Sequence, residues 1–225
     1  MKLTVIALAL VALPAVAQDP KKKAEPKVWM CTKGDLLWEE KFEGGAYSKE
    51  WNRYKGKFTV EDGALKSAEV ADDNHHPAIS RKISESNVII QCSFKFDGSP
   101  WIGLSLDDKE HVARFMLAPD QFKVVKMEGT GATTKGTDVD VTKMKLDDKA
   151  WHTVVWEIFG DEMVATIDDA QMALGKTTLT ATRSRLELIS GGQSAWFKEI
   201  KVWKAVEDTK WPARRASLMK ALKKK

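Results

Sequence analysis

Two carboxylates and two imidazoles stand side by side in the segment Asp72-Asp73-Asn74-His75-His76. Acids beside imidazoles can transfer protons in acid–base catalysis, and they can also bind a metal ion. His75, His76 and Asp73 are therefore candidate catalytic residues, and Asp72 and Asp73 are candidate metal ligands. A solvated polar loop is the alternative, because neighbouring side chains on an extended chain point in different directions.

A second group of candidates lies on predicted strands and alternates with apolar side chains. An indole ring beside amide and cationic donors suits a sugar, because C–H faces stack on aromatic rings and hydroxyls need directed hydrogen bonds. The group consists of Gln91, Lys95, Trp101 and Arg114, with Arg81 at its margin. The strand of Gln91 and Lys95 is predicted to neighbour the strand that follows Trp101. An ordinary solvent-facing sheet is the alternative, and Arg81 equally suits a structural ion pair.

Short strands would position these residues. The segment 151–169 (WHTVVWEIFGDEMVATIDD) predicts two strands joined at Gly160-Asp161, since apolar and polar residues alternate around a turn-forming pair. Asp62-Gly63 predicts another hairpin, and the low-complexity run 128–137 predicts a loop. About a dozen such strands predict an all-β fold, an antiparallel two-sheet β-sandwich. Pro212 favours the first turn of a short C-terminal helix.

The two ends of the chain differ from its middle. Residues 1–17 have the pattern of a signal peptide, 18–33 predict a flexible leader, 34–206 the sandwich, and 207–225 a basic helix or tail. The net charge is +4, but residues 28–208 hold 24 basic and 30 acidic residues, a net charge of −6. We therefore expect an exported monomer without a transmembrane segment, whose main partner is not nucleic acid.

The chain has two cysteines, Cys31 and Cys92. In an oxidising compartment they could form one disulfide. Cys92 also lies on the apolar face of its predicted strand, which equally suits a buried free thiol. Both interpretations stay open at this point.

Several segments occur together in a recognisable order. They are the strand end 42–44 (FEG), Trp51, the run 58–65 (FTVEDGAL), the hairpin 151–168 and the strand 197–202 (FKEIKV). Together they resemble the concanavalin-A-like lectin/glucanase jelly roll, in its laminin-G-like and 3-keto-disaccharide-hydrolase-like branch. The resemblance spans residues 34–205 and implies the fold. It leaves the function open, because this fold hosts lectins, adhesion modules and hydrolases.

The resemblance has consequences for catalysis and for metals. Retaining glucanases of this fold carry Glu-x-Asp-x-Glu or Glu-x-Asp-x-x-Glu on one strand, which sets the two catalytic carboxylates about 5.5 Å apart. No predicted strand has that spacing, so we do not expect the glucanase mechanism. Laminin-G-like relatives often bind calcium through loop acids, which makes Ca²⁺ a candidate cofactor at Asp72-Asp73. Turn preference explains such Asp pairs equally well.

Three functions follow from these observations. The first is an exported sandwich that binds a glycan, a small or polymeric saccharide, on its polar concave sheet face. The second is hydrolysis of 3-keto-disaccharide-type glycosides, and the third is a non-catalytic scaffold or adhesion module. Glycan binding or hydrolysis would be favoured if one concavity brought together His75, His76, Arg114 and Trp101. A flat sheet without a pocket would favour the scaffold or adhesion module.

Overall fold

The computed structural model describes residues 25–179 and 182–222. The predicted signal peptide, residues 18–24 and residues 223–225 lie outside the described residues. Within them the chain forms fifteen β-strands, three short 3-10 helices and one α-helix. The strands build two antiparallel sheets, so the predicted all-β two-sheet sandwich with a short C-terminal helix is confirmed. None of the helices in the described ranges has the length and apolarity needed to cross a bilayer.

The strands are short and follow one another closely. In chain order they are β1 (Cys31–Glu40), β2 (Trp51–Lys55), β3 (Lys57–Glu61), β4 (Ala64–Ala68), β5 (Ala78–Lys82), β6 (Val88–Lys95), β7 (Ile102–Asp107), β8 (His111–Ala118), β9 (Gln121–Glu128), β10 (Lys135–Lys143), β11 (His152–Phe159), β12 (Glu162–Ile167), β13 (Gln171–Lys176), β14 (Arg185–Ser190) and β15 (Ala195–Glu207). The 3-10 helices are Glu43–Gly45, Ala71–Asp73 and Gly131–Thr133, and the α-helix, α1, is Trp211–Leu222.

Sheet A has the strand order β13–β12–β11–β6–β15–β4–β3, with β1 also paired to β15, and sheet B has the order β10–β9–β8–β7–β14–β5–β2. Strands β6 and β7 are consecutive in the chain but lie in different sheets. The link between them turns at Asp97 and Gly98, whose φ angles are 50° and 93°. The expectation that the strand of Gln91 and Lys95 neighbours the strand after Trp101 is therefore wrong, because this turn carries the chain across the sandwich.

One apolar core fills the space between the sheets. On β11 the predicted alternation is confirmed, since Val154, Trp156 and Ile158 point inward and are at most 1% exposed. Phe115 of sheet B faces them, with its ring centroid 6.4 Å from that of Trp156. Each large apolar side chain that is fully buried contributes about 1.5–3 kcal/mol. Burial of this inner face therefore holds the two sheets together.

Two predicted hairpins are confirmed. Asp62 and Gly63 have φ angles of 50° and 70° and join β3 to β4, as a two-residue turn matched to strand twist requires. Gly160 has a φ angle of 55° and ends β11. The loop predicted over 128–137 is only partly correct. It holds the 3-10 helix Gly131–Thr133, and β10 begins within it.

Half of the outer face of sheet A is covered by a second apolar layer. Ile89 and Val155 point outward there, under residues 28–31 and helix α1, whose Trp211 is 8% exposed. Alternation on a two-layer sandwich predicts a solvated outer face. The helix and the chain leading into β1 remove this half of the face from water.

Glu157 fixes the chain that leads into β1. Its carboxylate is fully buried and accepts hydrogen bonds from the backbone N–H groups of Trp29 (2.7 Å), Met30 (2.8 Å) and Cys31 (2.8 Å). Burial raises the pKa of Glu157, and the three N–H donors oppose that rise. Strand β1 consequently begins at Cys31, before the predicted sandwich boundary at residue 34.

Cys31 and Cys92 are free thiols, so the disulfide alternative is wrong. Cys92 lies in the core between the sheets, whereas Cys31 lies in the second layer outside sheet A. Burial raises the pKa of Cys31 to about 12 and also raises the pKa of Cys92. Both are buried thiols in different layers, without the thiolate character that reactivity requires.

Candidate functional site

The outer face of sheet B carries a continuous row of polar side chains. The register places Asn52, Ser80, Glu187, Ser105 and Arg114 directly opposite one another, across five adjacent strands from β2 to β8. Their neighbours in sequence on β7, β8 and β14 point into the core, so this row faces outward.

Most of this row lines a cavity of about 690 Å³, which we call the sheet B cavity. Its walls come from β2, the loop before β5 and the turn after β9. The lining residues are Asn52, Arg53, Tyr54, His75, His76, Ser80, His111, Arg114, Thr130, Gly131, Thr134, Arg185 and Glu187. The volume lies within the range of about 300–1,000 Å³ that small-molecule sites occupy.

A row of aromatic rings borders one side of the sheet B cavity. Tyr54 and His75 meet edge to face at 5.4 Å between centroids, His75 and His76 lie at 4.1 Å, and His76 meets Trp101 at 5.3 Å. Tyr54 is 66% exposed. We call these four rings the aromatic row, and they provide an apolar strip beside polar groups.

Trp101 takes its place because residue 191 has no side chain. A Cβ atom on Gly191 would lie 2.5 Å from the indole Nε1 of Trp101, closer than any real contact allows. The N–H of Gly191 also bonds to the carbonyl of Trp101 at 2.9 Å. The indole is thus held against the backbone that follows β14 and is in turn in contact with His76.

His76 is neutral at pH 7. Its pKa is lowered to about 4, mainly by burial and also by electrostatic interaction with His75, Arg114 and His111. A neutral imidazole can both donate and accept a hydrogen bond. His76 therefore offers the cavity a polar aromatic ring without adding a charge.

Glu187 lines the other side of the cavity, and Asp107 lies next to the lining residue His111 without lining the cavity itself. Asp107 is fully buried. Its Oδ1 accepts a hydrogen bond from Ser105 at 2.9 Å and lies 3.1 Å from Nδ1 of His111. Burial raises the pKa of Glu187, and the charge of Asp107 adds to that rise. Arg185 and Arg114 offset these charges. The floor is therefore polar and mixed in sign.

The structure brings four predicted residues together. His75, His76 and Arg114 line the sheet B cavity, and Trp101 contacts His76. Three of the four residues expected to converge therefore line one cavity, and the fourth, Trp101, lies beside it through its contact with His76.

The other candidates lie elsewhere. The Asp73 carboxylate accepts the N–H of Gly56 at 2.6 Å and lies 3.7 Å from Lys55, outside the lining of the cavity. Arg81 forms ion pairs with Glu40 and Glu50, and its guanidinium lies 4.3 Å from the ring centroid of Trp38. Arg81 therefore forms structural ion pairs and does not contribute to the ligand surface.

Gln91 and Lys95 are on the opposite side of the molecule. Both lie on β6 of sheet A, and their side chains point away from the core on its outer face. They cannot share a ligand face with Trp101 and Arg114. The alternating pattern correctly predicts that both side chains point outward. It does not tell which sheet they lie on, because that depends on the crossing at Asp97-Gly98.

Sequence reasoning identified three of the thirteen lining residues and missed the other ten. Tyr54 and its neighbours give no signal, because β2 is a short edge strand with little alternation. On β14, by contrast, Arg185 and Glu187 alternate with Leu186 and Leu188. That alternation was a usable signal for an outward-facing polar pair. Thr130, Gly131 and Thr134 come from the run interpreted as a loop.

The calcium hypothesis finds no matching geometry. Across residues 25–179 and 182–222 there is no group of three or more His, Cys, Asp or Glu side chains able to hold a metal ion. Asp72 and Asp73 sit in the 3-10 helix Ala71–Asp73, and Asp73 is already bonded to the chain. Calcium requires six to eight oxygen ligands, so this pair does not fit it.

The fold is the concanavalin-A-like, galectin-like jelly roll. No protein-family model and no curated protein matches the chain. Solved structures do match it. The carbohydrate-binding module CBM66 from Bacillus subtilis has a TM-score of 0.56 at 17% identity, covering 69% of this chain and 96% of that one. A Bacillus subtilis protein of unknown function with a galectin-like fold has a TM-score of 0.60 at 10% identity, covering 80% and 100%.

A β-glucanase from Bacillus licheniformis has a TM-score of 0.58 at 9% identity, covering 77% of this chain and 100% of that one. At these identities the likeness shows the fold. It does not single out the laminin-G-like or the 3-keto-disaccharide-hydrolase-like branch.

Proposed function

We propose that this chain is an exported β-sandwich that binds a glycan in the sheet B cavity. The observation that carries the proposal is the aromatic row, Tyr54–His75–His76–Trp101, beside a floor of hydrogen-bonding side chains. Sugars present apolar C–H faces and a rim of hydroxyl groups. A strip of rings next to polar groups complements both.

Charge supports an uncharged or weakly charged saccharide at this site. The lining holds three arginines, Arg53, Arg114 and Arg185, against one acid, Glu187, and His76 adds no charge, so the cavity has a small positive excess that suits an uncharged or weakly anionic saccharide. Mixed donors and acceptors suit hydroxyl groups, which both donate and accept hydrogen bonds. The solved structures of the same fold include a carbohydrate-binding module and a β-glucanase, in agreement with a glycan partner. A cavity of this size argues against a flat scaffold surface.

The test is a glycan array followed by affinity gel electrophoresis on the polysaccharides that bind. Tyr54→Ala should weaken binding about tenfold, or about 1.4 kcal/mol, because it removes an exposed ring at the end of the aromatic row. Trp101→Ala should weaken binding more strongly.

Trp151→Ala is the matched control, since it removes a half-buried tryptophan on sheet A. It should bind neutral glycans like the unchanged protein. Retardation on no polysaccharide, or equal losses in Tyr54→Ala and Trp151→Ala, would contradict the proposal.

Glycoside hydrolysis is the second candidate function. It is favoured by Glu187, which lines the cavity and whose raised pKa suits a general acid. Mass spectrometry of a bound oligosaccharide after incubation distinguishes the two functions. Cleavage that is lost in His76→Ala and kept in Trp101→Ala would establish hydrolysis, and an intact oligosaccharide would establish binding alone.

A further inference from the structure

The uncovered half of the outer face of sheet A carries alternating lysines and tryptophans. Cross-strand register places Lys66 of β4, Trp196 of β15 and Lys95 of β6 directly opposite one another. Trp151, just before β11, continues the row, and Lys198 lies two residues from Trp196 on the same face of β15. We call these five residues the Lys–Trp ladder.

Every ammonium group of the ladder sits over an indole ring. The Nζ atoms of Lys66 and Lys95 lie 4.9 Å and 5.0 Å from the ring centroid of Trp196. Those of Lys95 and Lys198 lie 5.5 Å and 4.2 Å from that of Trp151. Each cation–π contact restrains a side chain that is otherwise flexible. The three charges are therefore held in place before any ligand arrives, which lowers the entropic cost of binding.

The ring of Trp196 is itself held by hydrogen bonds. The indole N–H of Trp196 donates to Asp97 at 2.9 Å and to Ser194 at 3.1 Å. Hydrogen bonds from Trp196 and Ser194, together with Lys149, lower the pKa of Asp97 to about 2. Its carboxylate therefore stays charged and continues to accept the indole hydrogen bond. Asp97 also lies in the turn that carries the chain from sheet A to sheet B. The same turn therefore positions Trp196 in the ladder.

Among the described residues, two of the three lysines form no direct ion pair. Within residues 25–179 and 182–222, no carboxylate lies within 4.0 Å of the ammonium groups of Lys95 and Lys198, and Lys66 reaches Glu61 only at 3.9 Å. Other strand lysines do form ion pairs, as Lys126 does with Glu128 at 2.9 Å. A fixed cluster of unneutralised lysines on a body of net charge −6 is a localised site for an anion.

We propose that the Lys–Trp ladder binds an anionic polysaccharide, one that bears carboxylate or sulfate groups at intervals along the chain. Lys66 and Lys95 stand two strands apart, about 10 Å, and Lys198 follows along β15. Lysine ammonium groups act as point charges that suit single anionic groups. The lysines already occupy the ring faces, so recognition rests on spaced charge more than on stacking. This site lies on the sheet opposite the proposed neutral-glycan cavity and does not depend on it.

The acidic body disfavours nucleic acid at the same place. A duplex or single strand presents a phosphate at every nucleotide, and its high charge density would be repelled by the surrounding net charge of −6. An acidic polysaccharide with sparser charges suffers less repulsion and matches three fixed ammonium groups.

The test measures binding of the full chain to hyaluronan, which bears one carboxylate on every second sugar, and to the more densely charged chondroitin sulfate, with neutral pullulan and single-stranded oligothymidylate as comparison probes. The double variant Lys95→Gln/Lys198→Gln should weaken binding of an acidic polysaccharide at least tenfold, and Lys95→Arg/Lys198→Arg should keep it. Added salt should weaken the interaction, because these charges are partly exposed. The matched control is Lys109→Gln/Lys143→Gln, which removes two exposed charges near sheet B and should bind unchanged.

Three results would overturn the assignment. They are no binding of either acidic polymer, an equal loss in the control variant, or tighter binding of the oligothymidylate than of the polysaccharides. Tyr54→Ala separates this site from the sheet B cavity, because it should leave acidic-polymer binding intact whether or not the cavity binds a neutral glycan.

Discussion

His76 links the aromatic row to the electrostatics of the sheet B cavity. Its ring lies between His75 and Trp101, and burial in a positively charged surrounding favours the neutral form. The folded protein therefore binds fewer protons at this residue than the unfolded chain does. The associated stability is complete above pH 6.5, the ordinary pKa, and is lost as the pH falls from about 6.5 to about 4.

The titration of His76 can be observed directly. We expect its ring resonances in an NMR pH series to have a midpoint near pH 4, with His76→Gln serving to assign them. The same variant should also flatten the loss of unfolding free energy between about pH 6.5 and 4. A midpoint at pH 6.5 or above would contradict the burial of the His76 ring seen in the structure.

Glu157 offers a second test at the scale of one side chain. Glutamine has the same shape but a single acceptor oxygen, so Glu157→Gln leaves at least one backbone N–H of residues 29–31 facing an amide group. Leaving a buried donor unsatisfied costs about 1–3 kcal/mol. We expect a loss of about 2 kcal/mol or more in the free energy of unfolding, measured by urea denaturation.

The control for this loss is Glu110→Gln, an exposed acid in the turn between β7 and β8. It should change stability by less than about 0.5 kcal/mol. Equal effects of the two substitutions would mean that Glu157 does not fix the chain leading into β1.

At the scale of elements, turn chemistry separates what the sequence predicts from what it does not. Asp62-Gly63 and Asp97-Gly98 look alike as sequence, and both adopt positive φ. The first joins neighbouring strands of one sheet, and the second carries the chain to the other sheet. Local conformation is encoded in the two residues, but the choice of partner strand depends on distant apolar faces. This is why Lys95 and Trp101 were expected on one surface and lie on opposite ones.

Strand alternation predicted the inner face well and the outer face poorly. Val154, Trp156 and Ile158 are buried as expected, because a period of two identifies the apolar side of a strand. Val155 and Ile89 on the other side are also buried, since helix α1 and residues 28–31 cover them. The unbroken apolar runs 88–90 and 154–156 were a usable signal that both faces of these strands are covered, but they do not reveal which distant segments cover them.

The candidate site shows the same division. His75 and His76 could be singled out because their residue types are rare and chemically capable. Tyr54 could not, because an exposed tyrosine on an edge strand has no distinguishing spacing. Its role depends on a ring-to-ring contact with His75 that only the folded loop before β5 creates.

At the scale of the whole molecule, stability rests on packed layers and not on a covalent crosslink. Cys31 and Cys92 are separated by sheet A and are both free. We expect unfolding by guanidinium to be the same with and without a reducing agent. Ellman's reagent should label neither thiol in the native protein and both after denaturation. A stability that falls on reduction, or one thiol equivalent missing after denaturation, would contradict this arrangement.

The two sheets also divide the proposed activities between them. The sheet B cavity is polar and combines arginines with an acid and neutral hydrogen-bonding groups, whereas the charged side chains of the Lys–Trp ladder on sheet A are all lysines. A neutral sugar and an acidic one could therefore occupy the protein together without competing. Substitutions on one side should act additively with those on the other, because they share no contact.

Residues 28–31 and helix α1 cover the same half of the outer face of sheet A. A fusion partner, an affinity tag or a solid support attached at either end would therefore sit behind the molecule. The aromatic row would still face the bulk liquid, free to meet a long polymer or an insoluble particle from the front.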